Sequence, residues 1–223
     1  MNTLISNVTK DDSIAARTAL KMRMKMYRTL DSLISIPDLA NVLDMGVTAD
    51  RNRLDSNFFE EIYPNKDRIT ALSNQDASWM EEKYRGLKFV FGDGCALPFP
   101  DYSFDLVFSS AVLEHLGTAG RQMKFLSEAV RVSRRYVFFT TPNRWHPIEF
   151  HTALPLLHWL PPKIHRNILS LLRYEDFADE NVLNLLSSRD LELFCRKLEI
   201  DDFQIHSVSF LLFPSNLMLF IKK

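Results

Sequence analysis

The 223-residue chain lacks several features that would assign it to a class at once. Its two cysteines, Cys95 and Cys195, have no CxxC spacing, which argues against a disulfide framework and against a cysteine-built zinc site. Its 27 basic residues are balanced by 28 acidic ones, with no long Lys or Arg run. That argues against a nucleic-acid partner, which would call for a basic stripe. The N-terminus, MNTLISNVTKDDS, has no signal-peptide core, and no stretch is apolar for long enough to span a bilayer, so a cytoplasmic location is expected. There is no internal repeat and no low-complexity linker, so residues 1–223 read as a single domain. Glycine is also missing where one ligand class needs it. DMGVTAD, after the first expected strand, holds only Gly46, whereas a nicotinamide-dependent oxidoreductase would want G-x-G-x-x-G there.

What the chain does have is a 46% apolar, 25% charged composition, enough for a sizeable core. Asp11–Ile34 reads as a helix, with Ala16, Leu20, Tyr27, Leu30 and Ile34 at helical spacing. Val42-Leu43-Asp44 is a short buried strand, followed by a polar loop, Val47–Asp55, and a helix expected from Ser56 or Asn57 to Tyr63. Arg68–Ser73, Phe89–Phe91, Phe104–Phe108 and Tyr136–Thr140 are further strands, and Phe104–Phe108 is apolar enough to be buried on both faces. Helices are expected at Ala77–Tyr84, from Ala111 to Leu116, at Arg121–Ser133 and at Arg189–Leu198. Phe203–Phe210 and Asn216–Ile221 complete the strands, with the turn at Phe213-Pro214-Ser215. Strands alternating with helices predict parallel βαβ units.

The stretch GDGCALPFPDYSFDLVFSSAVLEHL, from Gly92 to Leu116, resembles the middle of class I S-adenosylmethionine-dependent methyltransferases, in particular the type 11 group. The resemblance covers about Asn41 to Asn143 well. It implies an α/β, Rossmann-like, doubly wound fold. The sheet would have seven mostly parallel strands, with one antiparallel strand near the C-terminus. It also implies S-adenosylmethionine as cofactor. Asp93 matches the acid that meets the adenine amino group, with Gly94 beside the ring, and Ser109 and Ser110 lie beside the methionine end. Asp44 and Gly46 match the first motif, Asp-x-Gly-x-Gly-x-Gly, of which only the first glycine is kept. Ser73 stands where the family places a ribose-binding acid, with Asn74 next to it. The helical segment 1–40 would be a lid lending Tyr27 or an Arg to the cofactor carboxylate, unless its basic face is merely solvated. The N-terminus of the helix near Ser56 is a second candidate for holding that carboxylate.

After the fifth strand the rhythm breaks. Residues 142–186 hold Trp145, Trp159 and four of the six histidines, and read as a helical cap insertion on the substrate side. His146, Glu149 and His151 are the candidate catalytic residues, because His titrates near neutrality and a hydroxyl acceptor needs a base. No metal is expected, since HxxxxH alone does not make a site. Glu114 is a poorer candidate, expected to face along its helix. The function expected is methyl transfer, O-methylation favoured, to a small-molecule, sugar or lipid-linked acceptor, with peripheral membrane contact left open. A non-catalytic methyltransferase-like binding module and the oxidoreductase are the alternatives.

Overall fold

The computed structural model describes residues 13–36, 39–53 and 55–223. The acidic start expected for the first helix, Asp11 and Asp12, and the proline turn before the first strand lie outside the described residues. Helix α1 (Ile14–Leu33) starts at Ser13, whose side chain accepts the Ala16 N–H. Then come β1 (Val42–Met45), α2 (Phe58–Ile62), β2 (Ile69–Ser73), α3 (Trp79–Lys83), β3 (Lys88–Phe91) and β4 (Phe104–Ser110). Helix α4 (Ala119–Val132), β5 (Ser133–Pro142), α5 (Pro162–Leu171), α6 (Glu175–Ala178), α7 (Ser188–Lys197), β6 (Phe203–Phe210) and β7 (Phe213–Lys222) complete the order.

The strands form one seven-stranded sheet in the order β3-β2-β1-β4-β5-β7-β6. Strands β1 to β5 pair in parallel, and β7 runs antiparallel to both β5 and β6. This is the expected fold, a mostly parallel sheet with one reversed strand. It also departs from the 3-2-1-4-5-6 order of dinucleotide-binding dehydrogenases, which sets the oxidoreductase reading aside.

Apolar residues cover both faces. On one, Leu30, Phe59, Tyr63 and Met80 pack against Ile69, Leu106 and Phe108. On the other, Phe125, Leu126, Leu191 and Phe194 pack against Leu43, Val107, Phe139 and Leu219. Each such side chain contributes about 1.5–3 kcal/mol when fully buried, so the sheet is the rigid body on which the loops are set. A smaller cluster, Leu169, Phe177 and Leu183, forms beyond β5.

Two expected local structures come out differently. Ala111–Leu116 does not open a helix. Ala111 takes φ +56°, and Leu113–His115 is a single 3-10 turn; α4 starts only after Gly117, at φ +76°. The hairpin turn is not at Phe213-Pro214-Ser215 but at Leu211 and Leu212, both left-handed (φ +49° and +70°), while Pro214 sits within β7. Apolar residues at positive φ carry no turn signature in the sequence, and the proline drew the reading two residues too far.

The proline-rich loop before β4 is clamped by α4. Arg131 donates to the carbonyls of Phe99 and Leu97 and to Asp101, while Glu128 accepts from Arg131 and from the Leu97 N–H. The Arg131 hydrogen bond is the main reason the Glu128 carboxyl is held down to about 2, from an ordinary 4.5. A depressed carboxylate stabilises the fold above its unfolded pKa and loses that contribution as pH falls through the folded value. Glu128→Gln is therefore expected to lower the thermal midpoint at pH 7 by about 2–4 °C. The gap should close between about pH 4.5 and pH 2. A gap that persists at pH 2 would show that the bond's charge is not what matters.

Candidate active site

The sequence places its motif residues on one edge because parallel strands end on the same side of a sheet. Asp44 lies in β1, Ser73 ends β2, Asp93 and Gly94 follow β3, and Ser109 and Ser110 end β4. Gly46 follows β1 at φ +93°, and a Cβ there would come within 2.5 Å of the Val112 side chain. Both conformation and space therefore demand glycine. Gly94 is required by space alone, since a Cβ would lie 2.3 Å from the Phe125 ring. Asp93 is half exposed and within 3.8 Å of Arg121, and its Oδ1 accepts the Cys95 N–H at 2.9 Å. Ser109 donates to the Met45 carbonyl (2.7 Å) and Ser110 pairs with Thr140 (2.9 Å).

The glycine-poor loop is closed by side chains. Gly46 and Val47 donate to the Leu72 carbonyl. The Asn57 amide clasps Thr48, accepting its N–H (3.0 Å) and donating to its carbonyl (2.9 Å). Gln75 accepts the Ala49 N–H (3.3 Å), and the Thr48 hydroxyl accepts that of Asp50 (3.2 Å). The N–H groups from 46 to 50 thus already have partners within the protein. Asn57 is left-handed (φ +49°) and gives α2 no side-chain cap, and a five-residue helix offers little dipole. Ser73 is buried and its hydroxyl accepts the Gln75 N–H, whereas Asn74 is exposed.

Charges gather over this edge instead. From α1, Arg23 reaches Asp55 (3.3 Å), which also pairs with Arg53 (2.6 Å), and Asp55 is buried. Burial depresses the Arg23 pKa; against it act the fields of Asp55, Glu114 and Asp44, with Arg53 on burial's side. Asp44 is pushed well up, first by burial and then by the adjoining Glu60 carboxyl, which burial also raises. Two touching carboxyls do not both ionise cheaply. Among the described residues no group donates to either Glu60 oxygen.

Beyond β4, the 3-10 turn is pinned from two sides. Gln122 of α4 donates to the carbonyls of Leu113 and Asn184, the Asn184 N–H donates to the Glu114 carbonyl, and the His115 Nδ1 meets the Val182 carbonyl (2.8 Å). Glu114 does not face along a helix. It is fully buried, and one carboxylate oxygen accepts the Thr141 hydroxyl (2.9 Å) while the other has no partner.

The three catalytic candidates differ in what they have free. His146 is buried with Nδ1 against Ile148 backbone and Nε2 against the Phe210 carbonyl. Glu149 accepts from the His151 N–H and ring, and from the Thr152 N–H and hydroxyl. Burial would raise its carboxyl, but the His151 and Thr152 bonds outweigh that and bring it to about 2. It is an orienting carboxylate, not a base at neutral pH. His151 has Nδ1 on Glu149 (2.6 Å), and its ring meets His115 edge to face at 5.0 Å. Sequence reasoning missed Arg23's and Arg53's shared partner Asp55, the Asn57 and Gln75 clasps, Glu60 and the turn pair Glu114-His115. The adjacent acid and histidine after a strand end was the one signal available.

A family model described as "Methyltransferase domain" matches residues 62–139. No curated protein matches the chain by sequence. Among solved structures, the chain is similar to a SAM-dependent methyltransferase from Aquifex aeolicus (14% identity, TM-score 0.59, 96% of this chain and 99% of that one). It is also similar to one from Thermotoga maritima described as a possible histamine N-methyltransferase (14%, TM-score 0.58, 94% and 92%). A third is the N-methyltransferase NodS from Bradyrhizobium japonicum in complex with S-adenosyl-L-homocysteine (12%, TM-score 0.58, 95% and 89%). The matched domain, the sheet order and these likenesses together give this chain a methyltransferase-like α/β fold.

Proposed function

We propose that the protein transfers the methyl group of S-adenosylmethionine to a small-molecule acceptor, with a hydroxyl oxygen favoured and a sugar or lipid-linked molecule included. The observation that carries this reading is the gathering of Asp44, Asp93, Ser109 and Ser110 at one edge of a methyltransferase sheet. Asp93 takes the adenine amino group, with the Gly94 backbone beside the ring. The donor's ammonium lies against the Asp44–Glu60 pair and its carboxylate against Arg23, with Arg53 behind, since the loop's own N–H groups are engaged. Residues 142–186 cap the acceptor, and α1 forms the lid. Trp145, Trp159, Leu160 and Ile164 are exposed there, and support an acceptor with an apolar portion. The reaction is an in-line displacement in which the acceptor atom's lone pair forms the new bond to carbon as the carbon–sulfur bond breaks. The sulfonium is already activated, so positioning and dryness carry much of the rate. N-methylation is the second reading, favoured by the names of two structural relatives.

Calorimetry with S-adenosylmethionine and its demethylated product tests the reading. Saturable binding is expected, weakened about tenfold in Asp93→Ala because a donor amino group is left unpaired. Absence of both heat and thermal shift with either ligand would leave a binding module with no donor site. Among the described residues no helix is long and apolar enough to cross a membrane, and we place the enzyme in the cytoplasm.

A further inference from the structure

We infer that Glu114, His115 and His151 form a site for one divalent transition-metal ion at the acceptor side of the crevice. One ligand atom from each lies within 4.8 Å of the other two, close enough for a single ion to bridge them with modest adjustment. Two imidazoles and a carboxylate on one side of an ion, with open positions opposite, suit zinc, iron(II), cobalt or manganese.

Three independent features build the site. Each histidine has its Nδ1 committed elsewhere, His151 on the Glu149 carboxylate (2.6 Å) and His115 on the Val182 carbonyl (2.8 Å). Metal-ligating histidines are commonly oriented in this way, by an outer carboxylate or carbonyl that fixes the tautomer and leaves the other nitrogen to the ion. Glu114 is oriented likewise, by Thr141 on one oxygen, and its other oxygen is buried with no donor. A buried carboxylate oxygen without a partner calls for a cation, and the Arg23 and Arg53 guanidiniums nearby are both paired with Asp55. His115 is exposed, so water or an acceptor atom can reach the open positions. The expectation of no metal rested on the cysteine spacing and on HxxxxH; of those two histidines only His151 takes part, and the other ligands come from the turn after β4.

In the methyl-transfer reading the ion would hold the acceptor hydroxyl and lower its pKa, so that its proton passes to solvent before attack. That role rests on the proposed function, whereas metal binding does not. A protein that binds donor but no metal fails here alone, and one that binds metal but no donor fails there alone.

The test is equilibrium dialysis of the full chain against zinc chloride at pH 7.5, with bound metal counted by elemental analysis, and cobalt(II) absorption as a second readout. About one equivalent is expected. Affinity should fall about a hundredfold or more in His115→Ala and in Glu114→Gln, and stay within a few-fold in His206→Ala, a half-buried histidine on β6. Circular dichroism confirms folding, and His115→Ala is the safer variant should Glu114→Gln unfold. No stoichiometric zinc on the parent protein would overturn the inference. So would binding undiminished in His115→Ala.

Discussion

Arg23→Ala is expected to weaken S-adenosylmethionine binding about a hundredfold, while Arg28→Ala, on the exposed side of α1, leaves it within a few-fold. A hundredfold is about 2.7 kcal/mol, within the range of about 1.5–3 kcal/mol for hydrogen bonds to charged groups. The expectation follows from where the loop's hydrogen bonds go. Asn57, Gln75 and Thr48 already accept the N–H groups of residues 48–50, so backbone donors are not available to a carboxylate without breaking those bonds. Arg23 stands in the field of Asp44 and Glu114 and lies over the ring of Phe58, its Cζ 5.5 Å from the centroid, which fixes its direction. Calorimetry with the decarboxylated donor separates this role from general damage. Parent and variant should bind that analogue equally. If the variant loses affinity for both ligands alike, Arg23 supports the lid and not the carboxylate.

The sheet could be read from the sequence because its central strands are buried and most of its parallel strands are separated by helical segments. Phe104–Phe108 is apolar at nearly every position, as a strand covered on both faces must be. The placing of the motif residues was legible for the same reason, since Asp44, Asp93 and Ser109 each sit at or beside a strand end. What the pattern could not give were contacts between residues far apart in the chain. Gln75 meets Ala49, 26 residues away, and Thr141 meets Glu114, 27 residues away. Glu60 is one of two adjacent acids in a short amphipathic helix, and nothing in its spacing says that it, and not Glu61, is buried near Asp44. The turn at Leu113–His115 was hidden because Ala111 gives no hint of its positive φ, and a helix was the default for AVLEHL. That one misreading also hid Glu114, whose direction depends on the turn.

The largest effect on chemistry is expected at His151. Of the three candidates read from the cap, it alone keeps a ring nitrogen clear of the backbone while its other nitrogen is held by a buried carboxylate. Such a ring is fixed in direction and tautomer, and can serve the acceptor either by taking its proton or by holding an ion that does so. His151→Ala should lower turnover about a hundredfold, the lower end of what acid–base help supplies, with donor affinity within a few-fold of the parent. Glu149→Gln should lower turnover less, about tenfold, because the amide still holds Nδ1 but without its charge. His146→Ala should be felt in the thermal midpoint and not in turnover per folded molecule, since both of its nitrogens serve the backbone. The assay needs an acceptor, found by exposing cell extract to protein and isotopically labelled donor and following the label. Parental turnover in folded His151→Ala would reduce the cap's histidines to packing. The rate would then come from positioning alone.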